Sequence, residues 1–396
     1  MRVGLVIHRY GQGISGGAEV HCRMLAQRLT RLIPAAQVEV ITTTASDYLS
    51  WANDHDEGIE EDGPVSVRRF KVAHERNLFR FDLVNRATNV FHGHAPMWLE
   101  KVWLRSQGPH SPGLIRYLKN HASDYDRLIF YTYLYEPTVS GLPLAAESIR
   151  PGPWFIPTAH DEKPLKLKIV RPAFEAAGSF GFLSPAEEEL VLSRFPVADR
   201  PREIIGAGVE APAKIDPEMF ARKYDLGPYL LYLGRIDIQK GIAQLVDYWK
   251  WAKTHFADKP GFPSLVLAGE SKMRLDLLEG LVLTGYVSEE EKWSALSGAV
   301  GVVAPSPYES LNLTILEAGA VGRPVLVNSR CAVLKDYARC SGGGLAFNDR
   351  ESFRDCLVRI ADPAQASSLG RANLEHVNKH FSWKAIDRKL VKWLNL

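Results

Sequence analysis

The chain has 396 residues, with 48 Lys and Arg against 46 Asp and Glu. This length predicts two domains, with three as the alternative, and the near balance of charge gives no reason to expect a nucleic-acid partner. Its four cysteines form neither a CxxC pair nor a zinc-ligand spacing, which favours buried thiols in a reducing cytoplasm. The sequence has no apolar run of about 18 residues, the length that a membrane-spanning helix requires. We also expect no signal peptide before the first strand.

The first hundred residues open as a βαβ unit. Residues 2–8 read as a buried strand, residues 18–32 as a helix with one apolar face, and residues 38–42 as a second strand. Between strand and helix lies a glycine-rich loop. The chain therefore begins as one half of an open parallel sheet.

That glycine-rich loop contains a GxGxxG match at residues 11–16, which suggests a dinucleotide enzyme. The match is weak, because three residues separate the strand from the first glycine and Glu39 precedes the end of the second strand. A second interpretation is that Gly16 and Gly17 let the backbone approach an anion at the helix N-terminus. Glu19 would then complement the helix dipole.

Residues 68–105 are basic and aromatic. They hold eight Lys or Arg against three Asp or Glu, interleaved with Phe70, Phe79, Phe81, Phe91, Trp98 and Trp103. Two interpretations are open: a set of helices with ordinary solvated faces, or a surface that contacts an anionic membrane or acceptor.

Two later segments carry candidate ligand-binding side chains. Asp124 and Asp126 form a DxD, but they precede the strand at residues 128–131, so we expect capping or solvated carboxylates instead of a metal site. A short strand at residues 154–157 leads to His160, and the carboxyl end of a strand is where ligands bind in such sheets.

A second α/β series follows a predicted linker at residues 207–216. A strand at residues 229–233 leads to Arg235 and Lys240, and a helix then extends to about residue 255. Strands at residues 264–268 and 281–283 lead to Glu270 and to Tyr286 with Val287. A closing amphipathic helix is predicted for residues 376–394.

Residues 300–325 form the central stretch of this second half. An apolar strand at residues 300–304 ends in prolines, and Glu309 follows in the loop. Asn312 can cap a helix at residues 313–320, which carries Glu317 about two turns in. Two carboxylates eight positions apart thus follow one strand.

Together these motifs resemble the retaining nucleotide-sugar glycosyltransferases of the GT-B fold, family four. The resemblance rests on the E-x7-E pair, on Gly234-Arg235 with Lys240-Gly241, on Gly16-Gly17-Ala18-Glu19, on His160-Asp161 and on the final Phe381-Ser382-Trp383. It spans nearly the whole chain. Residues 310–312 depart from the Gly-Phe-Gly that the family often has there.

The resemblance implies a role for each candidate residue. It implies a nucleoside diphosphate sugar donor, retention of configuration, and neither a metal nor another cofactor. Glu309 and His160 would act at the sugar. The implied diphosphate contacts are Arg235, Lys240, Gly16, Gly17, Leu311, Asn312 and Leu313, and the implied ribose and nucleoside contacts are Glu317, Tyr286, Val287 and Glu270.

The implied fold class is α/β, with two Rossmann-like domains facing across a cleft and a C-terminal helix that crosses back. We expect an acceptor-side domain at residues 1–206 with the helix 376–396, and a donor domain at residues 217–375. The expected partners are the donor sugar and a glycan or lipid-linked glycan acceptor. We expect a cytoplasmic location, with the inner face of the membrane as an open alternative, and the oligomeric state stays open.

Other functions with this architecture are a sugar-nucleotide epimerase or hydrolase, a glycogen-type synthase and a non-catalytic sugar-nucleotide-binding protein. Assignment of the chain as a nicotinamide-linked dehydrogenase would depend on the glycine motif at Gly11, Gly13 and Gly16 alone.

Overall fold

The computed structural model describes residues 1–14, 16–91, 95–256, 262–276 and 278–396. Its contacts divide the chain into two compact units. The first unit is Met1–Ile205 with Lys389–Leu396, and the second unit is Gly206–Arg388. Residues 207–216, the predicted linker, contain neither helix nor strand.

The first unit is built on one sheet with the strand order β3-β4-β2-β1-β5-β6-β7-β8. Among the described residues its neighbouring strands pair in parallel, except for the antiparallel pair β3 and β4. The strands are β1 (Arg2–Val6), β2 (Gln37–Thr43), β3 (Gly58–Asp62), β4 (Val65–Phe70), β5 (Arg127–Tyr131), β6 (Trp154–Ile156), β7 (Ser179–Phe182) and β8 (Arg202–Ile204).

Helices follow most of these strands, as a Rossmann-like sheet requires. They are α1 (Gly17–Leu32), α2 (Leu78–Val90), α3 (Met97–Gln107), α4 (Pro112–His121), α5 (Glu136–Ala146), α6 (Arg171–Ala176) and α7 (Pro185–Arg194). The inner strands are buried along nearly their whole length, because helices cover both faces of a parallel sheet. The predicted βαβ opening is confirmed.

The second unit has a parallel sheet with the order β11-β10-β9-β12-β13-β14. The strands are β9 (Tyr229–Leu233), β10 (Ser264–Ala268), β11 (Leu281–Gly285), β12 (Gly301–Ala304), β13 (Val325–Asn328) and β14 (Gly344–Phe347). The helices are α8 (Met219–Lys223), α9 (Ile242–Phe256), α10 (Glu289–Gly298), α11 (Leu313–Ala320), α12 (Ala332–Ser341), α13 (Arg350–Ala361) and α14 (Pro363–His380). A last helix, α15 (Trp383–Leu394), begins in the second unit, and its residues from Lys389 onward belong to the first unit. The predicted α/β class is confirmed.

The C-terminal segment differs from the prediction of one helix at residues 376–394. Residues up to His380 belong to α14, and a new helix begins at Trp383. The break lies at Phe381, whose carbonyl accepts a hydrogen bond from the Val209 amide at 2.8 Å, outside the helix. Only Lys389–Leu396 join the first unit, so residues 376–388 do not belong with residues 1–206.

Trp393 attaches the C-terminus to the sheet of the first unit. Its side chain is 4% exposed, and its indole Nε1 donates to Ser179 Oγ at 3.0 Å. The ring lies over Gly181, where a Cβ atom would come within 2.8 Å of it. Arg127 Nε donates to the Leu394 carbonyl at 2.9 Å. The last residues of the chain therefore complete the core of a unit formed by its first half.

Replacing Trp393 tests this attachment. We expect Trp393→Ala to destabilise the first unit by roughly 3–5 kcal/mol, because it removes a buried indole and leaves a cavity over Gly181. Denaturant unfolding followed by near-UV circular dichroism measures the change. Val391→Ala, at an exposed position of the same helix, is the matched control and should stay within about 0.5 kcal/mol of the parent. Equal stability of the two variants would contradict the attachment.

Candidate functional site

The candidate site lies at the carboxyl edge of the sheet in the second unit. From β9 the chain continues to β10 on one side, and β12 pairs with β9 on the other side. The loops that follow β9 and β12 therefore leave the sheet in opposite directions. Such a topological switch point opens a crevice in which open α/β sheets bind ligands. Arg235 and Lys240 follow β9, and Glu309 follows β12.

One carboxylate organises the loop after β9. Asp237 Oδ1 accepts the backbone N–H of Lys240 at 2.9 Å, and Asp237 Oδ2 forms an ion pair with the Arg235 guanidinium. Asp237 thus caps the short turn that ends at Lys240 and also orients Arg235. The sequence reasoning missed Asp237. Its signal was an Asp three residues before Lys240, the spacing of an N-cap.

A glycine lets the loops after β9 and β12 approach each other. Gly241 has a φ of +76°, in the left-handed region, and a Cβ at this position would lie 2.5 Å from the Pro305 carbonyl oxygen. Any other residue would both strain the backbone and force the two loops apart. The position of Lys240 relative to Glu309 therefore depends on this contact.

Lys240 and Glu309, predicted from separate motifs, form an ion pair. Lys240 Nζ lies 2.8 Å from Glu309 Oε1, and their side chains are 32% and 10% exposed. Asn312 Nδ2 donates to the same carboxylate oxygen at 3.5 Å. The Glu309 loop is fixed at its start, since Asn328 Nδ2 donates to the Pro305 carbonyl at 2.9 Å. An accessible ammonium is thus held against a nearly buried carboxylate.

The helix after this loop begins as predicted. Asn312 caps α11, and its Oδ1 accepts the Ile315 amide at 3.1 Å. Leu311, Asn312 and Leu313 therefore lie at a helix N-terminus, where backbone amides and the helix dipole favour anions.

Glu317 is paired with a lysine that the sequence reasoning missed. Lys292 Nζ, from α10, lies 2.8 Å from Glu317 Oε1 and 2.8 Å from Glu289 Oε2. Burial raises the pKa of Glu317, and attraction to Lys292 offsets part of that rise. Burial lowers the pKa of Lys292, but attraction to the Glu317 and Glu289 carboxylates raises it by more. The pKa of Lys292 therefore lies above its usual value. Lys292 therefore stays charged and holds the Glu317 carboxylate in one direction.

The remaining candidates of the second unit lie on open loops. Glu270 follows β10 and forms an ion pair with Lys272. Tyr286 follows β11 and is 76% exposed, and Val287 beside it is half-buried. These residues share the carboxyl edge of the sheet with Arg235, and Glu270 and Tyr286 are open to solvent there.

Gly16 and Gly17 of the first unit start α1, as predicted. Glu19 differs from its predicted role as a simple partner of the helix dipole. It is buried, with its Oε1 at 3.1 Å from His8 Nε2 and 2.5 Å from Arg9 Nε. Although burial opposes ionisation, His8 and Arg9 lower the pKa of Glu19 to about 2. Glu19 therefore fixes the residues that follow β1.

His160 lies in a loop that a buried glutamate holds in place. Glu187 is fully buried, and its two oxygens accept the backbone amides of Ala159 at 2.7 Å and Leu183 at 2.6 Å. Burial raises the pKa of Glu187 to about 8. The carboxyl ends of β6 and β7 are thereby joined next to His160. No motif pointed to Glu187, because it reads as an ordinary residue in the first turn of a helix.

The DxD residues, expected to be capping or solvated carboxylates, are both exposed. Asp126 Oδ2 accepts the backbone amide of Arg2 at 2.7 Å, and Asp124 lies 2.9 Å from His121 Nδ1. Within the described ranges, no group of three or more His, Cys, Asp or Glu is arranged to hold a metal ion. Over the same ranges, no helix has both the length and the apolar character needed to cross a bilayer.

One family model matches part of the second unit. Residues 227–362 match the family model described as glycosyl transferases group 1. This region contains Arg235, Lys240, Glu309 and Glu317. Glycogen synthase of Mycobacterium tuberculosis is 29% identical over 180 residues, which cover 42% of this chain and 42% of that protein. The chain thus aligns with less than half the length of this curated relative.

Solved structures match the whole chain. The sucrose-phosphate synthase of Thermosynechococcus elongatus has a TM-score of 0.70 at 19% identity, covering 99% of this chain and 97% of its own. HepE of Anabaena, in complex with UDP and glucose, has a TM-score of 0.69 at 14% identity, covering 100% and 99%. At such identities the likeness shows the fold alone: two Rossmann-like parallel-sheet domains, as in the GT-B glycosyltransferases.

Proposed function

We propose that this chain is a retaining glycosyltransferase that transfers a hexose from a nucleoside diphosphate sugar to a glycan or lipid-linked glycan. The observation that carries the proposal is the Lys240–Glu309 ion pair at the topological switch point, with Arg235 fixed beside it by Asp237. These residues lie inside the region that matches the group 1 glycosyl transferases.

Arg235 and Lys240 would bind the donor diphosphate. When the glycosidic bond breaks, negative charge grows on the leaving diphosphate, and preorganised cations stabilise that charge. The Arg235 guanidinium offers a planar fork for phosphate oxygens, and Lys240 offers a point charge. The amides of residues 311–313, Gly16 and Gly17 would add neutral donors. Before the donor arrives, Asp237 orients the Arg235 guanidinium and fixes the backbone of Lys240, and Glu309 holds the Lys240 ammonium.

Glu309 would change partners when the donor binds. As Lys240 turns toward the phosphate, the Glu309 carboxylate becomes available to accept hydrogen bonds from sugar hydroxyls. His160 would contact the sugar from the first unit. We infer that the leaving phosphate accepts the proton of the acceptor hydroxyl on the same face of the sugar. In this mechanism Glu309 orients the sugar near its anomeric carbon and is not an obligatory nucleophile.

Glu317 would accept hydrogen bonds from the ribose hydroxyls. Lys292 holds its carboxylate in one orientation and thereby lowers the cost of fixing it on binding. Glu270, Tyr286 and Val287 would contact the nucleoside from the loops after β10 and β11. Because these loops are open, we infer that the nucleoside itself completes this part of the site.

The acceptor and the cellular location belong to the same proposal. The similar proteins include a glycogen synthase, which favours a saccharide acceptor and a role in polysaccharide or glycolipid synthesis. We propose a cytoplasmic enzyme without a metal or other cofactor. An epimerase or hydrolase would use the same donor site, whereas a dehydrogenase would need the loop at Gly11 and Gly13 to bind a dinucleotide.

Nucleotide binding can be tested with a thermal-shift panel of UDP, GDP, ADP and NAD. We expect one nucleoside diphosphate to stabilise the protein, by about 2.7 kcal/mol at a concentration 100 times its Kd. Arg235→Ala and Lys240→Ala should each raise that Kd roughly 10- to 100-fold, because each removes a charged hydrogen bond. Asp237→Asn should have a smaller effect, since it removes the ion pair of Arg235 and keeps a side chain that can cap the turn.

Lys250→Ala is the control for this panel, because Lys250 is exposed on α9 within the same unit. Its Kd should equal that of the parent. Stabilisation by NAD alone would overturn the proposal in favour of a dehydrogenase.

The two carboxylates can be tested by steady-state kinetics with the nucleotide sugar found in the panel. We expect Glu309→Gln to lower kcat at least about 100-fold, because it acts where charge develops. Glu317→Gln should chiefly raise the donor KM, since ribose contacts are equal in the ground and transition states. Glu290→Gln, on the exposed side of α10, is the matched control. Parental turnover of Glu309→Gln would refute its assignment.

Metal independence can be tested in the same assay. Because Arg235 and Lys240 would supply the positive charge that neutralises the diphosphate, turnover should be unchanged by EDTA. Complete loss of turnover that magnesium or manganese restores would instead require a metal in the mechanism.

A further inference from the structure

An exposed apolar surface lies on α2 and α3 of the first unit. We define this α2–α3 surface by seven large apolar side chains that are each more than two-fifths exposed. They are Leu78, Phe79, Leu83, Val90, Phe91, Met97 and Trp98. Phe79, Val90 and Trp98 are 82%, 71% and 66% exposed. Exposed large apolar side chains concentrated on two helices that contact each other indicate an interaction site, whereas scattered single residues do not.

The geometry of α2 shows that these residues form a separate face. Phe81 and Val84 pack against the core of the first unit, and Thr88 is buried, so this side of α2 faces inward. Phe79, Leu83 and Val90 repeat at helical spacing on the opposite side. A helix at the surface of a globular protein usually places polar residues there. The core of the unit is therefore complete without these three side chains.

Basic residues surround this apolar face. Arg80 and Arg86 on α2, and Lys101 and Arg105 on α3, are exposed. Two acidic residues lie on these helices, and one of them, Asp82, is exposed. Glu100, by contrast, is buried and accepts the Ile169 amide at 2.8 Å. The outward side of the two helices thus combines aromatic and aliphatic side chains with an excess of positive charge.

The two helices present this face on a fixed support. Trp103 Nε1 donates to Asn85 Oδ1 at 3.0 Å and joins α3 to α2. The Arg76 guanidinium lies 4.0 Å from the centre of the Phe81 ring, at the start of α2. Glu100 ties α3 to the segment before α6. Because the inward side is held by these contacts, the outward apolar residues stay exposed as a group.

We propose that the α2–α3 surface binds the interface of an anionic phospholipid bilayer. Phe79, Leu83 and Trp98 enter the boundary between headgroups and acyl chains, and the four cations contact the lipid phosphates. A second copy of the chain fits this surface less well. In a two-fold dimer the same patch would face itself, so the basic residues of both copies would be brought into one interface. An anionic lipid surface satisfies both the apolar and the basic residues.

Vesicle flotation with the full-length protein tests this inference. We expect binding to vesicles of 70% phosphatidylcholine and 30% phosphatidylglycerol, and at least tenfold less binding to pure phosphatidylcholine. Raising the salt from 0.1 M to 0.5 M should weaken the binding, because it screens the headgroup charge. The triple variant Phe79→Ser, Leu83→Ser, Trp98→Ser, and the double variant Arg80→Glu, Arg86→Glu, should each lose at least nine-tenths of the bound fraction.

The control variants carry the same kinds of substitution elsewhere on the surface. Ile59→Ser with Val358→Ser removes exposed apolar side chains, and Lys250→Glu reverses an exposed charge. All variants should keep the parental melting temperature, which shows that they fold. Parental binding by the triple variant, or equal binding to both vesicle types, would overturn the inference. Light scattering that shows a dimer abolished by Leu83→Ser would also overturn it, in favour of a second copy.

These readouts are independent of sugar transfer. If the protein does not float with the anionic vesicles but still binds a nucleotide, only the inference about the α2–α3 surface fails. If the protein floats with the vesicles but binds none of the nucleotides, only the proposed function fails.

Discussion

The candidate donor site depends on charges that are paired before any ligand is present. Asp237 fixes Arg235 through its side chain and Lys240 through its backbone, and Glu309 holds the Lys240 ammonium. Under the proposed function, an arriving diphosphate would meet cations that are already oriented and would replace a carboxylate as their partner. The fold would then have met the ordering cost of these long side chains, and more of the binding energy would remain for the leaving group.

The same principle recurs at the carboxyl edge of the first sheet. Glu187 joins the loops after β6 and β7 by accepting two backbone amides, and Glu19 joins the end of β1 to α1 through His8 and Arg9. Buried carboxylates are costly unless their oxygens are satisfied. Where they are satisfied, as here, they determine one loop conformation. The loops that carry His160 and Gly16 are thus set by carboxylates that need not touch a substrate.

In the first unit, the candidate ligand-binding edge and the α2–α3 surface lie on different elements. The edge with His160 and Gly16 lies at the carboxyl ends of the strands, whereas the α2–α3 surface lies on helices whose inward side completes the core. If the acceptor is linked to a lipid, a membrane-binding surface on this unit raises the local concentration of acceptor. The two proposals then describe one enzyme that takes a soluble donor and an acceptor held in the bilayer.

Local sequence determined the elements and their motifs. The alternation of apolar strands with capped helices predicted the α/β class, and Asn312 capped α11 as its position indicated. Arg235, Lys240 and Glu309 could be singled out because each follows a strand, and Glu317 because it lies on the next helix, eight positions after Glu309. These features depend on residues within about a dozen positions of one another, where propensity and capping act.

Only the tertiary structure decided which side chains meet. Lys240 and Glu309 are 69 positions apart, and Lys292 and Glu317 are 25 apart, so neither pair could be read from spacing. The structure also ended one helix at His380 and began another at Trp383, because Phe381 bonds outside its own helix. It gave Asp237, Lys292 and Glu187 roles that no motif had indicated. Strand order brings such residues together, and strand order follows from the packing of the whole sheet.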